Sequence, residues 1–71
     1  MDLTLIAKDE NSGKNGCPSF YAIPEAPEDC VIQGHLLDPN TAVNLLNVLP
    51  GEGAVRIKKQ VLIDALARLG S

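Results

Sequence analysis

Aromatic side chains are almost absent from this chain of 71 residues. Phe20 and Tyr21 are its two aromatic residues, and it has no tryptophan. A hydrophobic core must therefore be built from Leu, Ile, Val and Ala around one large apolar ring, Phe20. A chain of this length buries only about 60% of the surface that its unfolded form exposes. We expect a single domain over residues 1–71 with a thin core, which association as a homodimer or with a partner protein would stabilise.

Positive charge is also scarce. Six Lys and Arg stand against nine Asp and Glu, so the formal net charge is −3. Nucleic-acid binding draws most of its affinity from neutralised phosphates, and this balance disfavours that class unless basic residues cluster locally. Hydrophobic residues make up 45% of the chain, which excludes a disordered protein.

Long apolar runs are missing as well. No stretch of roughly 18 apolar residues offers a membrane-spanning helix, and the opening MDLTLIAKDE becomes polar too early for a secretory signal peptide. We therefore predict a cytoplasmic location. Reduced thiols are the norm in that compartment, so Cys17 and Cys30 are expected to be unpaired.

Side chains for metal or catalytic chemistry are few. His35 is the only histidine, and with Cys17 and Cys30 it offers three side chains of the kind that bind zinc. No C-x-x-C or H-x-x-x-H pair is present, and strand alternation places Cys30 and His35 on opposite faces. That placement also disfavours a nucleophilic pair of these two residues. We predict no enzymatic activity and no cofactor, with a cysteine-dependent metal or redox role as the third hypothesis.

The chain does contain a pattern of short strands. Weak alternation predicts one strand over residues 2–7, and β-branched and aromatic content predicts two more over 17–24 and 29–38. The proline-broken turn PEAPED between the last two suits an antiparallel hairpin. Gly34, inside the third segment, indicates a bulge or a close backbone approach. Residues 8–16, KDENSGKNG, are predicted to form an exposed flexible loop.

Two helices follow from the remaining pattern. Asp38 is a good N-cap and Pro39 a good first helical residue, so a helix is predicted over about 39–49, before Pro50. After a short strand, GAVRI, apolar residues recur at helical spacing over 59–69. The fold class is therefore α+β: a small antiparallel sheet of three to four strands with both helices packed on one face.

Basic residues gather where the last strand meets the last helix. Arg56, Lys58 and Lys59 lie at this junction and Arg68 in the last turn of the helix, and these four are the predicted partner-docking residues. Ribbon-helix-helix DNA-binding proteins begin with a similar strand and helix. They continue into a second helix, for which no residues are expected after Ser71. Direct DNA binding through residues 56–59 is the alternative function. These basic residues could also have no binding role and form only a solvated face at the junction of strand and helix.

Three segments carry a family resemblance: NGCPSFYAIPE (15–25), VIQGHLLD (31–38) and LPGEGAVRIKKQVLIDAL (49–66). Together they resemble small actinobacterial proteins of unknown biochemical function, commonly encoded beside helix-turn-helix regulators. In that group a GC opens a strand, a V-x-Q/R-G/D strand follows, and a G-E-x-A-V-x-I strand leads into a short terminal helix. The resemblance spans residues 15–69 and implies a regulatory accessory protein that binds a transcription factor. We therefore predict a non-enzymatic protein–protein interaction module, with such a regulator or a second copy of the chain as its partner.

Overall fold

The computed structural model describes residues 1–9 and 18–70. Its elements are, in chain order, β1 (Thr4–Lys8), β2 (Ser19–Ala22), β3 (Cys30–Gln33), β4 (His35–Leu36), α1 (Pro39–Ala42), β5 (Val55–Arg56) and α2 (Lys59–Leu69). Strands β1, β2 and β3 form an antiparallel sheet in that order, and β4 and β5 form a separate antiparallel pair. The predicted α+β class with an antiparallel sheet is confirmed.

The core lies between one face of the three-stranded sheet and α2. The strand register places Ala7 beside Phe20 and Phe20 beside Ile32, which puts these three side chains in one row across the sheet. Val61 and Ala65 lie four residues apart, so they share one face of α2, and both are buried against that row. The core is as thin as the sequence predicts, with Phe20 as its only large ring.

The second helix is where the sequence places it. Its bounds, Lys59–Leu69, match the prediction, and Lys58 at the N-cap makes no side-chain capping bond. At the other end the Gly70 N–H donates to the Leu66 carbonyl. Because its cap is weak, the helix depends on packing: Val61 and Ala65 supply that packing, and tertiary contacts provide most of the stability of short helices.

Gly34 interrupts what would otherwise be one continuous strand. A Cβ atom at this position would lie 2.4 Å from Ile57 Cγ2 and 2.8 Å from the Arg56 carbonyl oxygen. The chain therefore passes directly against the backbone that leads into α2, which confirms the close approach predicted here. The predicted strand at 29–38 splits into β3 and β4, because the chain leaves the three-stranded sheet at this crossing.

The helix predicted over 39–49 is wrong beyond Ala42. After α1, the Asn44 and Leu45 N–H groups donate to the carbonyls of Thr41 and Ala42, a tighter i→i+3 pattern that does not continue. Asn47 then adopts φ 55°, in the left-handed region, which ends any helical course. Three asparagines and two β-branched valines give this segment low helix propensity, and none of its residues is buried to compensate.

Two further predictions need correction. Only α2 packs on the three-stranded sheet, whereas none of the residues of α1 is buried, so the helices do not share a face. The loop predicted at 8–16 begins later, because Lys8 ends β1 and Asp9 is buried, with its N–H donating to the Pro18 carbonyl at 2.9 Å. Residues 10–16 of that loop lie outside the described residues.

Replacement of Gly34 by alanine should destabilise the protein by about 1–3 kcal/mol, because both a side chain and a backbone carbonyl must move to admit the new methyl group. Gly53→Ala is the matched control, since nothing lies within 4 Å of the Cβ it would add. Urea denaturation monitored by circular dichroism measures both free energies of unfolding. Equal stabilities of the two variants would contradict the crossing described at Gly34.

The cap of α1 predicts a pH dependence. The Thr41 hydroxyl donates to the Asp38 carboxylate at 2.8 Å and the Thr41 N–H at 3.1 Å, and these bonds hold the pKa of Asp38 below its ordinary value of 3.8. Because the folded pKa is lowered, the cap stabilises α1 above pH 3.8 and this contribution is lost as the pH falls through the folded pKa.

Carbon-13 NMR of the Asp38 carboxyl should therefore give a titration midpoint below 3.8. Thr41→Val deletes the hydroxyl donor, which is the largest cause of the shift, and should raise the midpoint. Thr4→Val, on β1, serves as the control and should leave it unchanged. A Thr41→Val midpoint identical to that of the wild type would refute the assigned cause.

Candidate docking surface

Residues 35–56 form an arm that is distinct from the body, which comprises residues 1–9, 18–33 and 57–70. The base of the arm is the β4–β5 pair, in which His35 lies opposite Arg56 and Leu36 opposite Val55. The structure describes every residue of the arm, and none of them is buried. Neither α1, β4 nor β5 packs on the described part of the body to the extent that α2 packs on β1 and β2.

Large apolar side chains cover the outside of the arm. Their exposed fractions are 84% for Leu36, 79% for Val43, 88% for Leu46, 51% for Val48 and 62% for Leu49. We call these five residues the arm surface. Together they expose roughly 600 Å², at the upper end of the largest apolar patch on a typical monomer. Apolar area of this size, concentrated on one segment, is typical of a protein interaction site.

Two adjoining grooves run along the arm, with volumes of about 600 Å³ and 390 Å³. They share the side chains of Leu45, Val48 and Glu52, and α1 contributes Pro39 and Ala42 to the larger one. The smaller groove presents as much polar as apolar surface, whereas the larger one is predominantly aliphatic, with Glu52 as its one charged residue. A groove of this composition suits the apolar stripe of a helix.

Local hydrogen bonds, rather than a core, shape the far end of the arm. The Glu52 carboxylate accepts a bond from the Leu49 N–H at 3.0 Å, and the Glu52 N–H donates to the Leu49 carbonyl at 2.9 Å. Gly51 adopts φ 85°, a conformation that favours glycine, and so closes this turn without strain. The turn therefore holds Val48 and Leu49 outward without any packing beneath them.

The total surface of the chain is large for its mass. The chain exposes 5720 Å², whereas a folded monomer of 7.5 kDa is expected to expose about 4,250 Å². Its radius of gyration is 13.3 Å, against about 11 Å for a compact chain of this length. The chain by itself therefore leaves more surface in water than monomers of its size do.

A second apolar surface lies on α2. Ile63, Leu66 and Leu69 recur every three residues along the side of the helix that faces away from the sheet, and they are 57%, 65% and 51% exposed. We call these three residues the helix stripe. Lys59 is four residues before Ile63 and therefore lies beside the stripe on the same face.

Two of the four basic residues predicted to dock a partner make contacts within the fold. Lys58 Nζ lies 3.3 Å from the carboxylate of Asp9, whose side chain is only 7% exposed, so this lysine compensates a buried charge. Arg68 donates from Nη1 to the Ile6 carbonyl of β1, which is an edge strand. These two basic residues fasten the two ends of α2 to the sheet.

The other two basic residues are exposed at different places. Arg56 lies in β5 at the base of the arm, and Lys59 is the first residue of α2. Arg68 is nine residues further along α2, about 14 Å along the helix axis. Lys58 lines one groove with Arg56 and another with Arg68, and Lys59 is the one that borders an apolar surface.

The residues of the metal hypothesis are not gathered into a site. Cys30 is an exposed thiol at the start of β3, outside any disulfide, and His35 is exposed in β4 on the other side of Gly34. Within residues 1–9 and 18–70, no group of three or more His, Cys, Asp and Glu side chains is placed to hold a metal ion. Cys17 lies outside the described residues. In the same part of the chain, no helix has the length and apolar character to span a membrane.

Comparison with known proteins identifies no relative: no protein-family model, curated protein or solved structure matches the chain. Its function therefore has to be argued from its own geometry. The sequence pattern did not predict the arm surface. Leu45, Leu46 and Leu49 have helical spacing and predict a packed stripe, but the three asparagines between Asn40 and Asn47 were a signal against a long helix.

Lys58→Ala should lower the free energy of unfolding by about 1–2 kcal/mol, because it removes the cation that faces the buried Asp9 carboxylate. Lys59→Ala removes the same charge one residue later and should change stability by less than about 0.5 kcal/mol, since its side chain is exposed. Urea titration of both variants makes the comparison. If the two variants have equal free energies of unfolding, Lys58 does not stabilise the fold through Asp9.

Proposed function

We propose that this protein is a non-enzymatic protein–protein interaction module that docks through the arm surface, as an accessory of a cytoplasmic transcription regulator. One observation carries the docking part of the proposal. Five large aliphatic side chains stand outward on an arm of which no residue, from 35 to 56, is buried. Association with another protein would remove that area from water at a gain of about 25 cal/mol per Å².

The regulator part of the proposal rests on the sequence resemblance. The residues that carry it, VIQGHLLD and LPGEGAVRIKKQVLIDAL, include β4, β5 and the far end of the arm. The resemblance therefore involves the segments that frame the candidate docking surface. A helix-turn-helix regulator encoded beside the gene for this chain is accordingly the partner of first choice.

The arrangement of charge favours a protein partner over DNA. Direct DNA binding through 56–59 would draw on Arg56, Lys58 and Lys59, but Lys58 already faces Asp9 at 3.3 Å. Arg56 and Lys58 line one groove and Lys58 and Arg68 line another, and the carboxylate of Asp9 lines both. An acidic chain whose basic grooves also contain carboxylates gains little from phosphate neutralisation.

Leu46→Lys should weaken binding to a helix-turn-helix regulator encoded beside the gene by about 2 kcal/mol or more, a factor of about 30, because it places a charge on the most exposed residue of the arm surface. Isothermal titration calorimetry with the two purified proteins measures this loss. The side chain of Leu46 is 88% exposed, so the circular dichroism spectrum of the variant should be that of the wild type.

Leu5→Lys is the matched control, since Leu5 is 49% exposed on β1, away from the arm, and the variant should bind as the wild type does. Equal affinities of Leu46→Lys and wild-type chains would overturn docking through the arm. If the regulator does not bind the wild-type chain, but duplex DNA does at about 50 mM salt, the DNA alternative replaces the proposal.

A further inference from the structure

Two apolar surfaces of this chain, the arm surface and the helix stripe, face water at the same time. We infer that they are complementary and that the chain forms a two-fold symmetric dimer, in which the arm of each protomer covers the helix stripe of its partner. This inference goes beyond the proposed function: a second copy of the chain occupies the arm when no regulator is bound, so the dimer and the regulator compete for the same surface.

Opposite charge is the first argument for this pairing. Between Leu36 and Val55 both charged side chains are acids, Asp38 and Glu52. From Lys58 to Leu69 three basic residues outweigh one acid, and of the three Lys59 lies beside the helix stripe. Glu52 lines both grooves of the arm. Docking the stripe in the grooves therefore brings Glu52 of one protomer towards Lys59 of the other.

Shape agrees with charge. The helix stripe presents three aliphatic side chains in a line, and the larger groove of the arm is aliphatic and has room for several such side chains. Reciprocal contact of this kind is isologous, since each protomer contributes both an arm and a stripe, and the assembly closes at two subunits. The arm surface and the helix stripe thus cover each other in a dimer without a third component.

The area is sufficient for a stable dimer. The exposed parts of the eight side chains amount to roughly 900 Å² per protomer, close to the ~800 Å² that each partner buries in an interface of standard size. The surplus of the observed 5720 Å² over the expected surface of about 4,250 Å² is of the same order or larger. A dimer would remove more than half of that surplus.

Sedimentation velocity on the full chain tests the association. At roughly 100 µM the wild-type protein should sediment as a dimer, since interfaces of this size have micromolar or tighter affinity. Leu46→Lys on the arm and Leu66→Lys on the stripe should each yield monomers with unchanged circular dichroism spectra, and Ile63→Lys provides a second stripe variant. Leu5→Lys, on β1, should remain a dimer.

Charge reversal tests the arrangement itself. Glu52→Lys and Lys59→Glu each place two like-charge contacts in their homodimers, and at about 50 mM salt each should raise the dissociation constant about tenfold. An equimolar mixture of the two variants should recover dimers, because a heterodimer pairs Lys at 52 with Glu at 59 and leaves the other contact as in the wild type. Glu52→Gln keeps an acceptor for the Leu49 N–H, and its dissociation constant should lie between those of the wild type and Glu52→Lys.

Each result has a definite consequence. A wild-type chain that is monomeric at every concentration overturns the dimer, and so does a dimer that Leu66→Lys leaves intact. A dimer whose charge-reversed variants do not recover on mixing overturns the arm-on-helix arrangement. If the wild type is monomeric but Leu46→Lys still loses the regulator, the inference fails and the proposed function stands. If Leu46→Lys alters neither association, both fail.

Discussion

The packing of Phe20 against Val61 and Ala65 is the contact on which the rest of the structure depends. The chain has one large apolar ring, and that ring is used to hold a single helix on a single sheet face. No described helix or strand packs over residues 35–56 as α2 packs over the sheet. The apolar residues of the arm therefore stay in water, and the surface that suggests a function results from the limited core.

Two polar contacts complete the body and change how the basic residues are understood. Lys58 neutralises the buried Asp9 at the start of α2, and Arg68 binds the Ile6 carbonyl near its end. Two of the four basic residues that the sequence predicts to dock a partner therefore attach the helix to the sheet. Apolar area supplies the affinity in the proposed interaction, while charge orients the partners, which is the usual division between the two effects.

The arm is shaped before it meets a partner. Asp38 caps α1, Glu52 bonds to the Leu49 N–H, and Gly51 closes the turn between them and β5. Bonds of this kind lie within a few residues of one another and need no core beneath them. A preformed docking element loses less conformational entropy on binding than a disordered one, so more of its apolar burial contributes to affinity.

The antiparallel strands, the bounds of α2 and the close approach at Gly34 could be predicted from the sequence, because alternation, helical period and an isolated glycine are local signals. The docking surface could not. Helical spacing from Ala42 to Leu49 indicates an apolar stripe but not whether another element packs on it, and the low helix propensity of this segment is overcome only by such packing. The burial of Asp9 likewise depends on a lysine 49 positions away. Local pattern determined the elements, and tertiary structure decided which apolar and charged residues were left for a partner, because burial is a property of the whole chain.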